Sequence, residues 1–315
     1  MDSSNINKVP STPLPTILNF RDIGQTINIL QGTPVLREGL IYRSARPDQA
    51  SASDRSALTS QYRIKSIIDL RSTTEHIDQA KKRDANAKLN ASAVVPKSDE
   101  KAADIEKVPG IHYHEINLNG GAFARALLWK LRWSSLTKLI SLMAIGYRNE
   151  AISILGREVM APRGLIGLGK DTLDHGFAEL HRIFSVLADP VHYPIMIHCT
   201  QGKDRTGLVV MLLLLLLDLP VTAISTDYMA SERELESEKK ARMKDVTAIG
   251  LNEEFLSCPK GFVEEMVRHI NGKYGELGGY LERKVGLNPN MQSSIWANLR
   301  EDDPDRIDNT VDQDT

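Results

Sequence analysis

The ten residues from His198 to Gly207, HCTQGKDRTG, combine residue types that suit phosphate chemistry. A short apolar run ends just before them, and a longer one, 208–217, follows them. This order predicts a strand, a tight loop and a helix, with Cys199 ending the strand and Arg205 opening the helix. Five residues separate these two side chains. The spacing predicts a sulfur nucleophile beside a loop whose backbone amides surround a phosphate group.

The predicted loop supplies hydrogen-bond donors for a dianion. Its N–H groups and the positive end of the following helix can converge on one point. Arg205 offers a planar guanidinium that grips two phosphate oxygens at once. The same positive field favours Cys199 as a thiolate, which attacks phosphorus and forms a phosphocysteine. The residues expected to bind the phosphate or assist the sulfur are Thr200, Gln201, Gly202, Lys203 and Thr206.

The leaving oxygen requires a proton, and Asp204 is the first candidate for the general acid. It stands inside the loop between Lys203 and Arg205. These two cations favour the charged carboxylate, which opposes a proton-donating role. Asp171 and Asp174 are alternatives, although capping of a helix N-terminus is the expected role for both.

The loop resembles the signature of the cysteine-dependent tyrosine phosphatase superfamily, Cys-x5-Arg followed by Ser or Thr. The filling GKDRTG makes it similar to the atypical tyrosine/serine phosphatase family, which includes bacterial secreted enzymes acting on phosphoproteins and phosphoinositides. Further matching segments follow in the expected order, and the resemblance covers roughly residues 17–300. These segments are NFRDIG at 19–24, YRSA at 42–45, DLR at 69–71 with Glu75, and Asp227-Tyr228.

The resemblance implies an α/β fold with a central, mostly parallel sheet flanked by helices. It also implies that Cys199 is the nucleophile and that Arg205 binds phosphate. Many members of the superfamily carry the acid on a separate loop after an upstream strand. The matching segment here, 116–121, has no Asp or Glu, which favours an acid within the loop. Supporting roles, either as braces of the site or as buried ion pairs, are expected for His198, Arg21, Asp22 and Arg43, with Asp69 and Arg71.

Apolar patterns predict the elements that position the loop. Strands are expected at 40–42, 66–68, 111–118 and 194–199, covered on both faces. A stripe typical of a core helix comprises Leu173, Phe177, Leu180, Phe184 and Leu187.

A helical insertion is predicted over 122–156, before the phosphate loop. Two interpretations of its apolar residues stay open: they pack into a core, or the segment folds over the site as a lid. The residues with helical spacing are Trp129, Trp133, Leu136, Leu139, Ile140 and Met143.

One phosphatase domain is predicted over 17–300. Residues 1–16 are polar and proline-bearing and are expected to form a flexible tail. An exposed insertion is expected at 79–109, which is rich in Lys, Asp, Ala and Ser. The acidic segment 301–315 is expected to be disordered.

Composition restricts the partners. A net charge of −2 and the lack of a basic stripe argue against nucleic-acid binding, and the longest apolar run is too short to span a bilayer. Two cysteines, Cys199 and Cys258, make no disulfide framework and favour a reducing compartment, the cytoplasm or the nucleus. No cofactor or metal is expected. His112 and His114 share a predicted strand face, but the sequence places no third ligand beside them.

These patterns predict a phosphomonoester hydrolase that acts on phosphotyrosine, or on phosphotyrosine and phosphoserine or phosphothreonine, in proteins. Phosphoinositides and small metabolite phosphates are alternative substrates for the same mechanism. Lys203 is placed to hold a second phosphate of an inositol head group. An inactive phosphate-binding module is less favoured, because Cys199 and Arg205 are both present.

Overall fold

The computed structural model describes residues 3–77, 79, 80 and 107–301. Its centre is a five-stranded sheet made of β1 (Arg21–Asp22), β2 (Ile41–Ser44), β3 (Ser66–Asp69), β4 (His112–Glu115) and β5 (Ile195–His198). The strand order is β1-β2-β5-β3-β4. Neighbouring strands are parallel, except that β1 pairs with β2 in the antiparallel sense. This mixed α/β architecture confirms the predicted fold class.

Helices surround the sheet. Those with both ends described include α1 (Ser3–Ile6), α2 (Ile23–Gln31), α3 (Ala52–Ser60), α4 (Gly121–Leu128), α5 (Trp133–Ala144) and α6 (Arg148–Leu155). They also include α7 (Ala161–His175), α8 (Phe177–Ala188), α9 (Asp204–Leu216), α10 (Val221–Glu234), α11 (Lys239–Ala248), α12 (Phe262–Tyr274), α13 (Leu277–Tyr280) and α14 (Pro289–Leu299). Short π-helical turns occupy Gly156–Met160 and Leu281–Val285, and 3-10 turns occupy Pro190–His192, Glu236–Glu238 and Glu253–Leu256.

The central strands β3 and β5 are buried on both faces because each face covers a separate core. Strand β4 at the edge of the sheet differs from the prediction, since its four residues are exposed or half-buried. Ile68 and Ile197 belong to the larger cluster, which includes residues of α8 and α9. Ile67 and Met196, one position earlier in each strand, point to a second cluster with Leu58 of α3. Alternation along a strand sends successive side chains to opposite faces, so uninterrupted apolar runs are what a doubly covered sheet requires.

Helix α9 is buried along nearly its whole length, as the run 208–217 predicts. Such a helix needs no polar face, and its position against the sheet anchors the phosphate loop that precedes it. The stripe on α7 and α8 also lies in the core, since Leu173, Leu180 and Phe184 are fully buried.

The predicted insertion over 122–156 is helical, and it forms α4, α5 and α6. We call 121–147 the helical hairpin. Its residues Phe123, Leu127 and Leu131 are buried in a small cluster together with Ile154 and Val159 from the following turns. Core packing fails for the two tryptophans, because Trp129 is 79% exposed and Trp133 is 76% exposed.

The first residues of the described chain pack against the domain, in contrast to the expected flexible tail. Val9 and Leu14 are buried. Thr12 N donates to Glu234 Oε2 at 3.0 Å, and Arg233 donates to Val9 O at 2.9 Å. The expected insertion at 79–109 and acidic tail at 301–315 lie almost entirely outside the described residues.

Candidate active site

Cys199 follows β5 directly and lies at the carboxyl ends of the parallel strands, where open α/β sheets bind their ligands. Its residue surface is 3% exposed. It lines the floor of a cavity of ≈ 240 Å³ together with Arg205 and Asp204. The fold therefore brings the three residues predicted to carry the chemistry into one space, with Thr200 and Gln201 beside them.

The carbonyl oxygens of the phosphate loop, 200–203, are bound from the outside. Asn19 Nδ2 donates to Gln201 O and to Gly202 O, each at 3.0 Å. The backbone and side chain of Arg46 both donate to Thr200 O at 3.2 Å. Because C=O and N–H point in opposite directions in a trans peptide, these bonds turn the N–H groups of the loop to its inner side. The result is the ring of donors that a phosphate needs.

Two glycines make this loop possible. Gly202 has φ +65°, and a Cβ there would lie 2.0 Å from Ser44 O on the neighbouring strand. A Cβ on Gly207 would lie 2.7 Å from the ring of Tyr228. Any larger residue would push the loop away from β2 or displace α10 from α9.

Arg205 is held by Glu75. Its NH1 donates to Glu75 Oε2 at 2.7 Å, and its NH2 donates to Oε1 at 2.6 Å. NH1 also donates to Leu70 O at 3.2 Å. A guanidinium has five N–H donors, so these bonds leave Nε–H and one NH2 hydrogen without a partner among the described residues. That pair of donors matches two oxygens of a phosphate.

The pKa values of this pair show how strongly it is coupled. Burial alone would raise the pKa of Glu75, but Arg205 outweighs burial and holds this pKa well below its usual range. Burial would likewise lower the pKa of Arg205, and Glu75 raises it instead. Cys199 is close enough to add to the stabilisation of the guanidinium charge. Thr200 Oγ1 also donates to Glu75, so one carboxylate fixes both the arginine and the loop.

Glu75→Gln is expected to lower kcat/KM for an aryl phosphate by about ten- to a hundredfold, because a charge-assisted bond that orients Arg205 is lost. Steady-state kinetics with Glu38→Gln, an exchange outside the cavity, as control measures this. The variant should also lose less stability in acid. The depressed pKa of Glu75 stabilises the fold above its unfolded pKa of about 4.3, and this contribution disappears as pH falls. Most of the loss falls below about pH 4.3, so equal urea midpoint losses between pH 7 and about pH 3 in both proteins would contradict this role.

Asp204 is the first residue of α9, and its side chain is about one-third exposed to the cavity. Tyr228 OH lies 3.4 Å from Asp204 Oδ1 and donates to it. Burial raises the pKa of Tyr228 well above its usual value, so the phenol keeps its proton. The ammonium of Lys203 lies 3.5 Å from the same oxygen, so Asp204 reaches the cavity with Oδ1 between a neutral phenol and a cation.

Lys203 points away from the cavity, so the expectation that its ammonium holds a second phosphate is not met. The side chain is fully buried, and Nζ donates to Ser257 O at 2.6 Å and to Phe255 O at 3.1 Å. Only the backbone N–H of Lys203 can serve the phosphate. Sequence reasoning placed this residue correctly in the loop but not its side chain, since the two carbonyl acceptors lie far along the chain.

Asp171 and Asp174 lie in the last turns of α7, so neither caps a helix N-terminus as expected. Asp171 is paired with Arg163, whose NH2 donates to Oδ1 at 2.8 Å. Asp174 accepts from His269 Nε2 at 2.7 Å and from Tyr274 OH. Neither residue lines the cavity around Cys199.

Arg21 and Arg43 are buried and share one carboxylate. Arg21 Nε donates to Asp227 Oδ1 at 2.7 Å, and Arg43 NH1 donates to Oδ2 at 2.5 Å. Although burial alone would raise the pKa of Asp227, the two guanidiniums hold it below its usual range. Arg43 NH2 also donates to Gly202 O at 2.7 Å. Arg43 therefore has both of the expected roles: it forms a buried ion pair, and it braces the phosphate loop.

Asp22 serves the fold and not the phosphate loop. It is the N-cap of α2, and its side chain accepts from Gln25 N at 3.3 Å and from Gly39 N at 2.5 Å. Its expected place among the supporting residues of the site is thus not observed.

His198 is fully buried behind the loop. Its Nδ1 lies 3.1 Å from Cys199 O, which agrees with the expected backbone brace. Burial lowers the pKa of His198, so the ring is neutral and can donate this bond. Its Nε2 lies 3.5 Å from Asp69, which is itself paired with Arg71. Thr206 is buried as well, and its hydroxyl has no partner among the described residues.

Apolar side chains form the walls of the cavity. They come from the helical hairpin, from α7, and from 246–262: Phe123, Leu165, Leu168, Val246, Phe255 and Phe262. The sequence did not identify Arg242, which lines the same cavity and leaves its Nε without a partner among the described residues. Arg242 belongs to α11, two helices after α9, so no local pattern links it to the motif.

Comparison with known proteins agrees with this geometry. The profile of the tyrosine phosphatase family matches residues 12–301. A triple specificity protein phosphatase, PtpB, of Mycobacterium tuberculosis is 33% identical over 131 residues, which cover 34% of this chain and 44% of that protein. A putative tyrosine-protein phosphatase of Cupriavidus necator is 24% identical over 84% of this chain and 81% of its own length. A tyrosine-protein phosphatase of Nostoc commune is 30% identical over 29% of this chain and 34% of its own length.

The family match extends from the N-terminal segment beside α10 to the end of α14, so it covers the strands, the phosphate loop and the cavity walls. The alignments with the mycobacterial and Nostoc proteins cover less than half of those proteins. The chain belongs to the tyrosine phosphatase family, whose reaction is the hydrolysis of phosphoric monoesters.

Proposed function

We propose that this chain is a phosphoric monoester hydrolase that works through a phosphocysteine intermediate. The observation that carries the proposal is the position of Cys199 and Arg205 on the floor of one cavity, inside a loop whose carbonyl oxygens are bound from outside. An inactive phosphate-binding module needs no nucleophile at that point. Turnover of an aryl phosphate in a single-turnover assay separates the two.

The reaction has two steps. The sulfur of Cys199 attacks phosphorus, the bond to the leaving oxygen breaks, and Asp204 transfers its proton to that oxygen. Water then attacks the phosphocysteine, Asp204 takes a proton from it, and inorganic phosphate leaves with the thiolate restored. Arg205 and the loop N–H groups bind the phosphoryl oxygens in both steps, where charge must be held in a water-poor site.

Asp204→Asn is expected to lower kcat for hydrolysis of a phosphotyrosine peptide by about 10²–10⁴-fold, because a poor leaving group needs the proton. An activated ester such as p-nitrophenyl phosphate should lose far less. Asp218→Asn, at the far end of the same helix and exposed, is the matched control. Equal slowing of both substrates would remove Asp204 from the acid role.

Phosphotyrosine in proteins is the substrate that the cavity favours. Cys199 is buried, and the cavity that it lines has apolar and aromatic side chains in its walls. A phenyl ring fills such walls and carries its phosphate to the floor, whereas the short side chain of phosphoserine does not reach as far and leaves apolar surface uncovered. The reaction needs a reduced sulfur, and both cysteines are unpaired, so we propose a reducing compartment, the cytoplasm or the nucleus.

A phosphoinositide is the second candidate, and the helical hairpin supports it. There is no acidic residue between Glu115 and Glu150, whereas five basic residues lie there. Trp129 and Trp133 are exposed on this surface. Basic residues with exposed tryptophans suit an anionic lipid interface, and the hairpin borders the cavity. None of the described helices is long and apolar enough to cross a membrane.

The two candidates are separated by one set of assays on the whole chain. Phosphotyrosine peptides, phosphoserine peptides and phosphoinositides in vesicles are compared by kcat/KM. We expect the phosphotyrosine peptide to be preferred by at least about tenfold over phosphoserine, the difference of roughly 1.4 kcal/mol that part of a buried ring supplies. A phosphoinositide preference that disappears in Trp129→Ser/Trp133→Ser would establish the second candidate and overturn the first.

A further inference from the structure

Three histidines meet at the end of the sheet opposite to Cys199. His112 and His114 lie on β4, and His192 ends the 3-10 turn before β5. Strand β3 lies between β4 and β5, and Ser66 at its start is in register with both His112 and Ile195. The sequence placed no third ligand near His112 and His114, and the fold supplies one. The cluster and the phosphate loop lie at opposite ends of the parallel strands, about 10 Å apart along the strand direction.

The three rings are close enough to share one ion. One ligand nitrogen from each lies within 4.8 Å of the other two. His112 Nδ1 and His114 Nε2 are 3.1 Å apart. Two nitrogens bound to one tetrahedral zinc at 2.0–2.1 Å stand roughly 3.3 Å apart, so this pair is already near the required spacing.

We propose that His112, His114 and His192 form a binding site for a divalent transition-metal ion of the zinc class. Three imidazoles and no carboxylate in the cluster are a donor set that favours zinc, copper or nickel over magnesium or calcium. His112 is exposed, so an ion can enter from solvent and keep a water ligand in its open position. The site lies outside the catalytic cavity and leaves Cys199 untouched.

The surroundings of the cluster orient one of its ligands. Ser66 Oγ lies 3.3 Å from His192 Nδ1 and fixes that ring. With Nδ1 held by Ser66, Nε2 is the nitrogen left to bind the ion, and Asp189 lies 3.9 Å from it.

The test is calorimetric titration of the full chain with zinc chloride in a Cys199→Ser background, because a thiolate also binds zinc. We expect one ion per chain, and His114→Ala should weaken its binding by at least about tenfold, as loss of a ligand must cost no less than loss of a supporting group. Zinc should also raise the thermal midpoint of the parent and not that of the variant.

His112→Ala, at an exposed position, is the second variant, and both are melted with a chelator to verify that they fold. His175→Ala removes a histidine outside the cluster and should bind zinc as the parent does. Zinc uptake by His112→Ala and His114→Ala with parental affinity, or the lack of one-to-one uptake by the parent, overturns the proposal.

Discussion

Cys199→Ser is expected to abolish turnover of aryl phosphates, with kcat reduced by roughly 10⁴–10⁶-fold. A serine hydroxyl keeps its proton at neutral pH and is a far weaker nucleophile than a thiolate. Of the two carboxylates that the described residues contribute to the cavity, Glu75 is paired with Arg205, and Asp204 must carry its proton to serve the leaving oxygen. The loop N–H groups and Arg205 are unchanged by the substitution. A phosphotyrosine peptide should therefore bind with affinity close to its original value, as measured by calorimetry, while single-turnover kinetics show no product.

Cys258→Ser is the matched control. Cys258 is buried, and its thiol lies 3.7 Å from Tyr228 O. Burial raises its pKa to about 12, so it is no nucleophile at neutral pH. The control should keep its turnover after correction for the folded fraction. An acid-quenched reaction of the parent should give a phosphorylated peptide that contains Cys199. Substantial turnover by Cys199→Ser would end the phosphocysteine mechanism.

The phosphate loop could be predicted from sequence because its chemistry is local. Cys199, Gly202 and Arg205 act through backbone geometry over seven consecutive positions, and the strand and helix that hold them are written in adjacent apolar runs. Such elements bury the same side chains whatever the rest of the chain does. The two strand neighbours, β2 and β3, were predictable for the same reason.

The contacts that complete the site could not be predicted in this way. Glu75 appeared in the sequence only as a family match, yet it holds Arg205 across 130 residues. The side chain of Lys203 is held in the protein interior by two backbone carbonyl groups beyond residue 250, and the sequence pattern contains no signal for backbone acceptors. Trp129 and Trp133 have the spacing of a core face but are exposed to solvent. The face of the hairpin that packs against the rest of the protein is the one that carries Phe123 and Leu127.

Arg205→Lys is expected to lower kcat/KM by about 10³–10⁵-fold, the range known for arginines that stabilise a transferring phosphoryl group. Lysine keeps the charge but loses the fork that binds Glu75 on one edge and two phosphate oxygens on the other. Both KM and kcat should suffer, and competitive inhibition by vanadate should weaken in parallel. Arg63→Lys, the same exchange at an exposed position, should leave all three unchanged.

Arg205→Ala is less direct, since it leaves the Glu75 carboxylate without its partner and so disturbs Thr200 as well. A double-mutant cycle with Glu75→Gln resolves this. If Arg205 acts on the phosphate itself, Arg205→Ala/Glu75→Gln should be as inactive as Arg205→Ala alone, while its urea midpoint recovers. Recovery of activity together with stability would mean that Arg205 only neutralises Glu75, and the phosphate would then depend on the loop N–H groups alone.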